Sequence, residues 1–287
     1  MIVVTGASGQ LGRSVVQQLL KRLPAAELGV SVRNPEKAQD LAALGVRVRR
    51  GDFEDAEGLR HAFEGAAQVL LVSSNARASG GDPIAQHRTA IDAAKAAGAG
   101  RILYTSQIAA SPTSAFNPAL DHAATEALLR ASGVPFTALR NGFYANSAVA
   151  MLRRASTGGE LVTPADGKFS WTAHADLAEA AAVILCDEGR FDGPTPPLTG
   201  SEALDFGELC ALASEVTGRE LKRTSVTDDV YCENMVKAGT PLRVAHFALG
   251  MFVAGRRGEF AAVDPTLEQL LGRRPLTFKE ILAAQLA

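Results

Sequence analysis

Short apolar runs alternate with longer amphipathic stretches through the first half of the chain. The apolar runs predict six strands, at residues 2–4, 28–32, 46–49, 69–72, 102–105 and 136–139. The amphipathic stretches predict helices between them, at residues 11–23, 35–44, 56–63, 83–97 and 119–131. Strands that alternate with helices through short connections form parallel sheets with right-handed crossovers. The first half therefore predicts an α/β fold with a doubly wound parallel sheet of the Rossmann type.

The pattern changes after residue 145. It predicts helices at 145–154, 175–186 and 206–216, strands near 161–162, 198–200 and 221–224, and a turn at 193–197. The remaining residues predict helices that are broken at Pro241, Gly250, Gly258, Pro265 and Pro275. We expect a Rossmann domain over residues 1–150, which also receives segments from 175–200, and a smaller, mostly helical substrate lobe over 151–287.

A glycine-rich turn follows the first predicted strand. Gly6, Gly9 and Gly12 recur at every third position, between the strand and the first helix. In a dinucleotide site such glycines allow a tight turn, a close approach to the pyrophosphate and close helix packing. The helix N-terminus then offers N–H groups to the anion. The sequence predicts a dinucleotide site here; the alternative is a turn with a structural role only.

The end of the second predicted strand bears on the choice of coenzyme. An NAD site places a carboxylate there, about 20 residues after the glycine turn. This chain has Arg33 at that place, and a guanidinium can pair with a ribose 2′-phosphate. We therefore expect NADPH in preference to NADH, unless Arg33 only faces solvent. Asp52 and Phe53, which follow the third strand, are expected to touch the adenine.

Composition excludes several other classes of protein. The chain is 47% hydrophobic and 21% charged, with a net charge of −2, so it shows no general attraction to nucleic acid. No apolar run reaches the roughly 18 residues of a membrane span. The first predicted strand leaves no room for a signal peptide, and the three cysteines show no metal-ligand spacing and are expected to be buried. We expect a cytoplasmic protein, a monomer or homodimer, without a metal.

Several segments resemble the NmrA-like group of atypical short-chain dehydrogenases/reductases, in particular its branch of NADPH:quinone oxidoreductases and triphenylmethane reductases. They are TGASGQLG at 5–12, SVRNPEKA at 31–38, GDFED at 51–55, LLVSS at 70–74, QHRTAIDAAKAAG at 86–98, ILYTS at 102–106 and VPFTALRNGFYAN at 134–146. A weaker match continues over 197–221. The resemblance covers about the first 220 residues.

The resemblance implies a set of cofactor-binding positions at the carboxyl ends of the strands. For the pyrophosphate they are Gly6, Ser8, Gly9, Gln10 and Leu11, and for the 2′-phosphate Arg33. For the nicotinamide ribose and ring they are Ser73, Ser74, Thr105, Ser106, Asn141 and Phe143.

The resemblance also implies which residues are candidates for catalysis. Asn141 and Tyr144 would border the nicotinamide and the acceptor, although packing is the alternative for Tyr144. Most short-chain dehydrogenases use a Tyr-x-x-x-Lys pair to deliver a proton. An alignment through residues 128–133 puts Pro118 at the tyrosine position and His122 at the lysine position. His122 is the third catalytic candidate, with a structural role as the alternative.

The absence of the Tyr-x-x-x-Lys pair restricts the reactions that we expect. An alkoxide formed by hydride addition needs a nearby acid to protonate it, and the proline at position 118 has no acidic proton. A quinone or another conjugated aromatic acceptor spreads the incoming charge over its own π-system. We expect an NAD(P)H-dependent oxidoreductase that reduces such a small molecule. Two alternatives remain open: an NADP-binding sensor without turnover, and a tailoring reductase of aromatic natural-product biosynthesis.

Overall fold

The computed structural model describes residues 1–286. The strands are β1 Ile2–Thr5, β2 Leu28–Val32, β3 Arg47–Arg50, β4 Gln68–Leu71, β5 Arg101–Gln107, β6 Phe136–Asn141, β7 Phe143–Tyr144, β8 Glu160–Pro164, β9 Trp171–Thr172, β10 Gly193–Pro194 and β11 Lys222–Val226. The helices are α1 Gln10–Leu20, α2 Gln39–Ala43, α3 Ala56–Phe63, α4 Pro83–Ala96, α5 Asn117–Ser132, α6 Ala145–Ala155, α7 His174–Cys186, α8 Phe206–Thr217, α9 Asp228–Lys237, α10 Leu242–Arg256, α11 Thr266–Leu271 and α12 Phe278–Leu286. Short 3₁₀ turns cover Ala25–Glu27, Pro35–Ala38 and Ala76–Ser79.

A seven-stranded parallel sheet confirms the predicted Rossmann fold. Its order is β10-β6-β5-β4-β1-β2-β3, so the winding reverses on the two sides of β1. Ligands of such sheets bind at this reversal, outside the carboxyl ends of the strands. Val3, Val69 and Tyr104 contribute fully buried side chains to a core that also includes residues of α3 and α4.

The contacts divide the chain into two compact units. Unit 1 comprises Met1–Ser106, Asp121–Arg140 and His174–Pro196, and unit 2 comprises Gln107–Leu120, Asn141–Ala173 and the chain from Pro197 onward. Residues 107–120 and 141–150 thus cluster with unit 2 rather than with the Rossmann unit. Unit 2 is mostly helical, with two small parallel sheets, β11-β8 and β7-β9. A substrate-binding role for it stays a prediction.

Some predicted elements are wrong in detail. The predicted strand at 198–200 is absent, since Leu198 forms only an isolated bridge with Asn141. The predicted turn contains β10 instead, at the edge of the sheet, where a proline without an N–H is tolerated. The predicted helix at 35–44 is a 3₁₀ turn followed by α2.

Gly250 does not break a helix, because α10 runs through it. A Cβ at this position would lie 3.0 Å from the backbone oxygen of Ala115, so the glycine permits close packing within unit 2. One of the three cysteines also departs from expectation. Cys186, the last residue of α7, is exposed, while Cys210 and Cys232 are buried.

No helix within residues 1–286 is long and apolar enough to cross a membrane. Within the same residues, no group of three or more histidine, cysteine or acidic side chains is arranged to hold a metal ion.

Candidate functional site

A cavity of about 430 Å³ lies in unit 1, at the carboxyl ends of β1, β2, β3 and β4. Its lining residues come from the segments that follow these strands and from α4: Thr5, Gly6, Ser8, Gly9, Ser31, Val32, Arg33, Gly51, Asp52, Phe53, Glu54, Val72, Ser73, Ser74, Asn75, Ala76, Ser79, Gly81 and Gln86. We call this cavity the cleft. Its position at the reversal of the sheet is the one where doubly wound folds bind nucleotides.

The glycine turn forms one wall of the cleft, and its shape depends on missing side chains. Gly6 has φ of +64°, which favours glycine, and its N–H donates to the Ser31 carbonyl at 3.2 Å. A Cβ at Gly12 would lie 2.5 Å from the Gly6 oxygen and 3.0 Å from the Thr5 oxygen. α1 can therefore pack against the turn only because residue 12 is glycine.

The N-terminus of α1 has no side chain that caps its backbone N–H groups. Gly9 is the N-cap, and the first turn of the helix contains no acidic residue. The uncapped N–H groups and the positive end of the helix dipole suit a phosphate.

Polar groups at the end of β2 suit a ribose and its phosphate. Arg33 is exposed on the cleft and forms no ion pair with any residue of the described chain. The Ser31 hydroxyl is buried without a hydrogen-bond partner in the same set of residues. Because a Cβ on Gly51 would lie 2.1 Å from that hydroxyl oxygen, the space beside it needs a glycine.

The loop after β4 forms the opposite wall, and side chains from distant strands hold its backbone. The Val72 N–H donates to Thr5 Oγ1 at 2.9 Å, and the Ser73 N–H donates to Thr105 Oγ1 at 2.8 Å. The Thr105 hydroxyl in turn donates to Ser73 Oγ at 3.2 Å. Thr105 is buried and does not line the cleft, so it acts on the cleft through Ser73.

A histidine of α4 holds the next residue of this loop. The Ser74 N–H donates to His87 Nε2 at 2.8 Å, and His87 Nδ1 lies 2.8 Å from Thr125 Oγ1. The Thr125 hydroxyl donates to the Asp121 carbonyl at 2.8 Å. Burial lowers the pKa of His87 to about 4, with Asp82 acting in the opposite direction, so the ring is neutral at pH 7.

Two of the catalytic candidates meet in unit 2. Asn141 Nδ2 lies 3.5 Å from the hydroxyl oxygen of Tyr144. Burial raises the pKa of Tyr144, and the hydrogen bond from Asn141 opposes the shift. The phenol therefore keeps its proton at neutral pH and can donate it.

The third candidate, His122, belongs to unit 1 and does not line the cleft. Its Nδ1 lies 2.7 Å from the hydroxyl of the buried Tyr104. Burial, with a smaller contribution from His87, lowers the pKa of His122 to about 3. The imidazole is neutral at pH 7, so it has no readily lost proton there.

The predicted cofactor residues divide into two groups. Those that line the cleft are Gly6, Ser8, Gly9, Arg33, Asp52, Phe53, Ser73 and Ser74. Those that do not are Gln10, Leu11, Thr105, Ser106, Asn141 and Phe143. Whether any of them binds a coenzyme stays a prediction.

Two residues of the second group have other contacts. The Ser106 hydroxyl donates to the buried Glu126 carboxylate at 2.7 Å, and Arg140 forms a two-bond ion pair with the same carboxylate. The Phe143 ring packs edge-on against Phe169 and Trp171 in the aromatic core of unit 2.

The sequence interpretation missed the residues that hold the loop. Thr5 lies in the glycine motif, where the sequence assigns it no role, and no pattern in the sequence points to His87 or Thr125 as a support of the loop. Their spacing does not identify them, because their partners lie between 13 and 67 residues away along the chain. The period of α4 puts His87 on its buried face, and that was the one available signal.

Comparison with known proteins agrees with the fold. The sequence model of the family described as NmrA-like matches residues 1–280. The quinone oxidoreductase 2 of Escherichia coli (strain K12) is 35% identical over 98% of this chain and 96% of its own length. The crystal structure of the Escherichia coli NADPH-dependent quinone oxidoreductase in complex with NADPH superposes with a TM-score of 0.92, at 35% identity and full coverage of both chains. The Citrobacter sp. triphenylmethane reductase in complex with NADP(H) gives 0.88 at 34% identity, again over both whole chains.

Proposed function

Because the chain belongs to the NmrA-like family, we propose that this NAD(P)H-dependent oxidoreductase uses NADPH to reduce a quinone or another conjugated aromatic acceptor. The observation that carries the proposal is the cleft itself. A glycine-rich turn, an uncapped helix N-terminus and an arginine without an ion pair among residues 1–286 lie around one cavity at the reversal of the sheet.

The residues of the cleft fit the coenzyme. Gly6, Gly9 and the N-terminus of α1 would hold the pyrophosphate, and Arg33 would pair with the 2′-phosphate. The partnerless Ser31 hydroxyl supplies a buried polar atom on the same side of the cleft. Asp52 and Phe53 would meet the adenine, and Ser73 and Ser74 the nicotinamide ribose.

Arg33 carries the preference for NADPH over NADH. A guanidinium without a carboxylate partner gains a charge-assisted pair when a phosphate arrives, and it loses no existing ion pair. NADH lacks that phosphate, so Arg33 gives it no such pair.

The acceptor follows from what the candidate residues can donate. NADPH supplies a hydride, and a quinone that takes the hydride also takes one proton to become a hydroquinone. His122 is neutral and bonded to Tyr104, and Pro118 has no acidic proton. Tyr144 remains as a weak acid that Asn141 orients. A conjugated acceptor stabilises the incoming charge and tolerates a weak donor, whereas a simple ketone does not.

Oxidation of NADPH, followed by its absorbance, tests the proposal with a panel of quinones, a triphenylmethane dye and simple ketones. We expect turnover with the conjugated acceptors and none with the ketones. Tight NADPH binding without oxidation by any acceptor would favour the sensor, which the low pKa of His122 and the proline at 118 also fit.

The variant Arg33→Asp tests the choice of coenzyme. We expect the affinity for NADPH to fall by about 1.5–3 kcal/mol, the usual contribution of a charged hydrogen bond, and the affinity for NADH to change little. Lys37→Asp, on the adjoining 3₁₀ turn and outside the residues that line the cleft, is the matched control. Equal losses for the two coenzymes would show that Arg33 does not read the phosphate.

A further inference from the structure

We propose that His87 is a positioning residue whose single tautomer fixes the loop that receives the nicotinamide ribose. The proposal rests on the proposed function, because it assumes that NADPH occupies the cleft. It assigns to a buried histidine of α4 a role that acts through Ser73 and Ser74.

Hydrogen bonding on both sides of the ring dictates the tautomer. The Ser74 N–H can only donate, so His87 Nε2 must accept and carries no hydrogen. The Thr125 hydroxyl gives its hydrogen to the Asp121 carbonyl, so it accepts from His87 Nδ1. Both constraints independently place the hydrogen on Nδ1.

Helix α5, which contains Thr125 and Asp121, also holds the other end of the loop. Arg77 forms a two-bond ion pair with the carboxylate of Asp121, whose backbone carbonyl ends the chain of bonds from Ser74 through His87 and Thr125. The backbone from Ser74 to Arg77 is therefore tied at both ends to Asp121. We call this closed set, formed by Ser74, His87, Thr125, Asp121 and Arg77, the loop circuit.

The loop presents two neighbouring hydroxyls, that of Ser74 within the loop circuit and that of Ser73 directly before it. The Ser74 hydroxyl donates to Gln86 Oε1 and accepts from the Ala76 N–H, so it can only accept from a ligand. The Ser73 hydroxyl accepts from Thr105 and, within residues 1–286, has no acceptor for its own hydrogen. Neighbouring residues thus present one donor and one acceptor, which is the pattern that a ribose diol can satisfy.

A matched pair of variants tests the tautomer. His87→Gln retains an acceptor near the position of Nε2, while His87→Asn retains a donor near Nδ1 and loses the acceptor for the Ser74 N–H. We expect His87→Asn to weaken NADPH about tenfold, as for one lost hydrogen bond, and His87→Gln to stay within about threefold of wild type. Because the loop meets the ribose and not the 2′-phosphate, NADH should weaken by the same factor.

Measurements on the protein without coenzyme separate this proposal from the proposed function. The ¹⁵N shifts of the His87 ring in wild type should report hydrogen on Nδ1, and the Ser74 amide should exchange faster in His87→Asn than in His87→Gln. If wild type shows this tautomer yet binds no NADPH, only the proposed function and the role in coenzyme binding fail.

Three results would overturn the positioning role: hydrogen on Nε2 in wild type, equal coenzyme affinity of the two His87 variants at equal folding stability, or a loss confined to NADPH. If His87→Asn does not fold, the pair Thr125→Ser and Thr125→Val replaces it. Serine retains the acceptor for Nδ1 and valine removes it, so we expect a loss of NADPH affinity in the valine variant alone. Equal affinities in that pair would likewise contradict the proposal.

Discussion

The glycine turn and the loop after β4 form two walls of one cleft, and they are built by opposite means. The turn takes its shape from the absence of side chains at Gly6 and Gly12, within a few residues of sequence. The loop takes its shape from side chains on β1, β5 and α4, which lie 67, 32 and 13 residues away from the loop residues that they bind. The difference teaches that one cleft can combine a locally encoded wall with a wall that exists only after folding.

Acid should affect the loop most strongly. His87 has a pKa of about 4 in the fold against 6.5 for the free side chain, so the unfolded chain binds its proton first as the pH falls. Stability attributable to His87 is fully present above pH 6.5 and is lost between 6.5 and about 4, by roughly 3 kcal/mol. Denaturant unfolding at several pH values measures it.

The variant His87→Gln isolates this contribution from the other acid-sensitive groups, among them His122. Between pH 7 and 4 its unfolding free energy should fall by roughly 3 kcal/mol less than that of wild type. Parallel curves for the two proteins would show that His87 titrates normally and is not held neutral.

Gly12→Ala should break the other wall. The new Cβ would lie 2.5 Å from the Gly6 oxygen, and backbone cannot yield as a flexible side chain does. We expect a loss of about 2–3 kcal/mol in the free energy of unfolding and a loss of NADPH binding, because α1 must move away from the turn. Gly158→Ala, whose Cβ would meet its nearest atom at 3.9 Å, is the control and should change neither quantity.

Thr105→Val should loosen the loop without touching the turn. Valine is similar in shape but leaves the Ser73 N–H without its acceptor, at a cost of about 1–2 kcal/mol. Thr105→Ser retains the oxygen and should stay close to wild type. Hydrogen exchange at Ser73 measures the effect, and unchanged exchange in the valine variant would contradict the assigned hydrogen bond.

Arg77→Ala should give the smallest effect. Its ion pair with Asp121 is bidentate; the Arg77 side chain is 37% exposed, so solvent weakens the attraction, but the Asp121 side chain is only 9% exposed and would lose its partner. We expect a loss of about 1 kcal/mol in stability and faster amide exchange confined to the residues around Ala76–Ser79. Arg88→Ala, on the exposed side of α4, should leave this segment unchanged.

The periodicity of the chain was sufficient for most of the fold. Six parallel strands and their helices follow from apolar runs and amphipathic stretches, because burial on both faces of a parallel sheet demands such runs. Among the strands the errors lie at 193–200, where prolines signal a turn and only pairing with β6 makes a strand. Gly250 shows the same limit of sequence-based prediction. Only the nearby backbone of Ala115 shows that this glycine permits close packing and does not break the helix.

The residues of the cleft also divide into those that the sequence predicts and those whose role depends on the folded structure. The glycine turn, Arg33 and Asp52 could be predicted as lining residues from motif and strand order, because the ends of neighbouring parallel strands lie at one edge of the sheet. The serines after β4 were implied by the family resemblance, and they also line the cleft. The tautomer of His87 and the support of Ser73 by Thr105 could not be predicted, since each depends on a partner that only folding brings near.

The sequence by itself therefore determined the turn, because a missing Cβ and an uncapped helix end act on residues that are neighbours in the sequence. Tertiary structure decided the loop, because a hydrogen bond requires two atoms about 3 Å apart, and residues 74, 87 and 125 reach that distance only when the loop, α4 and α5 pack in unit 1.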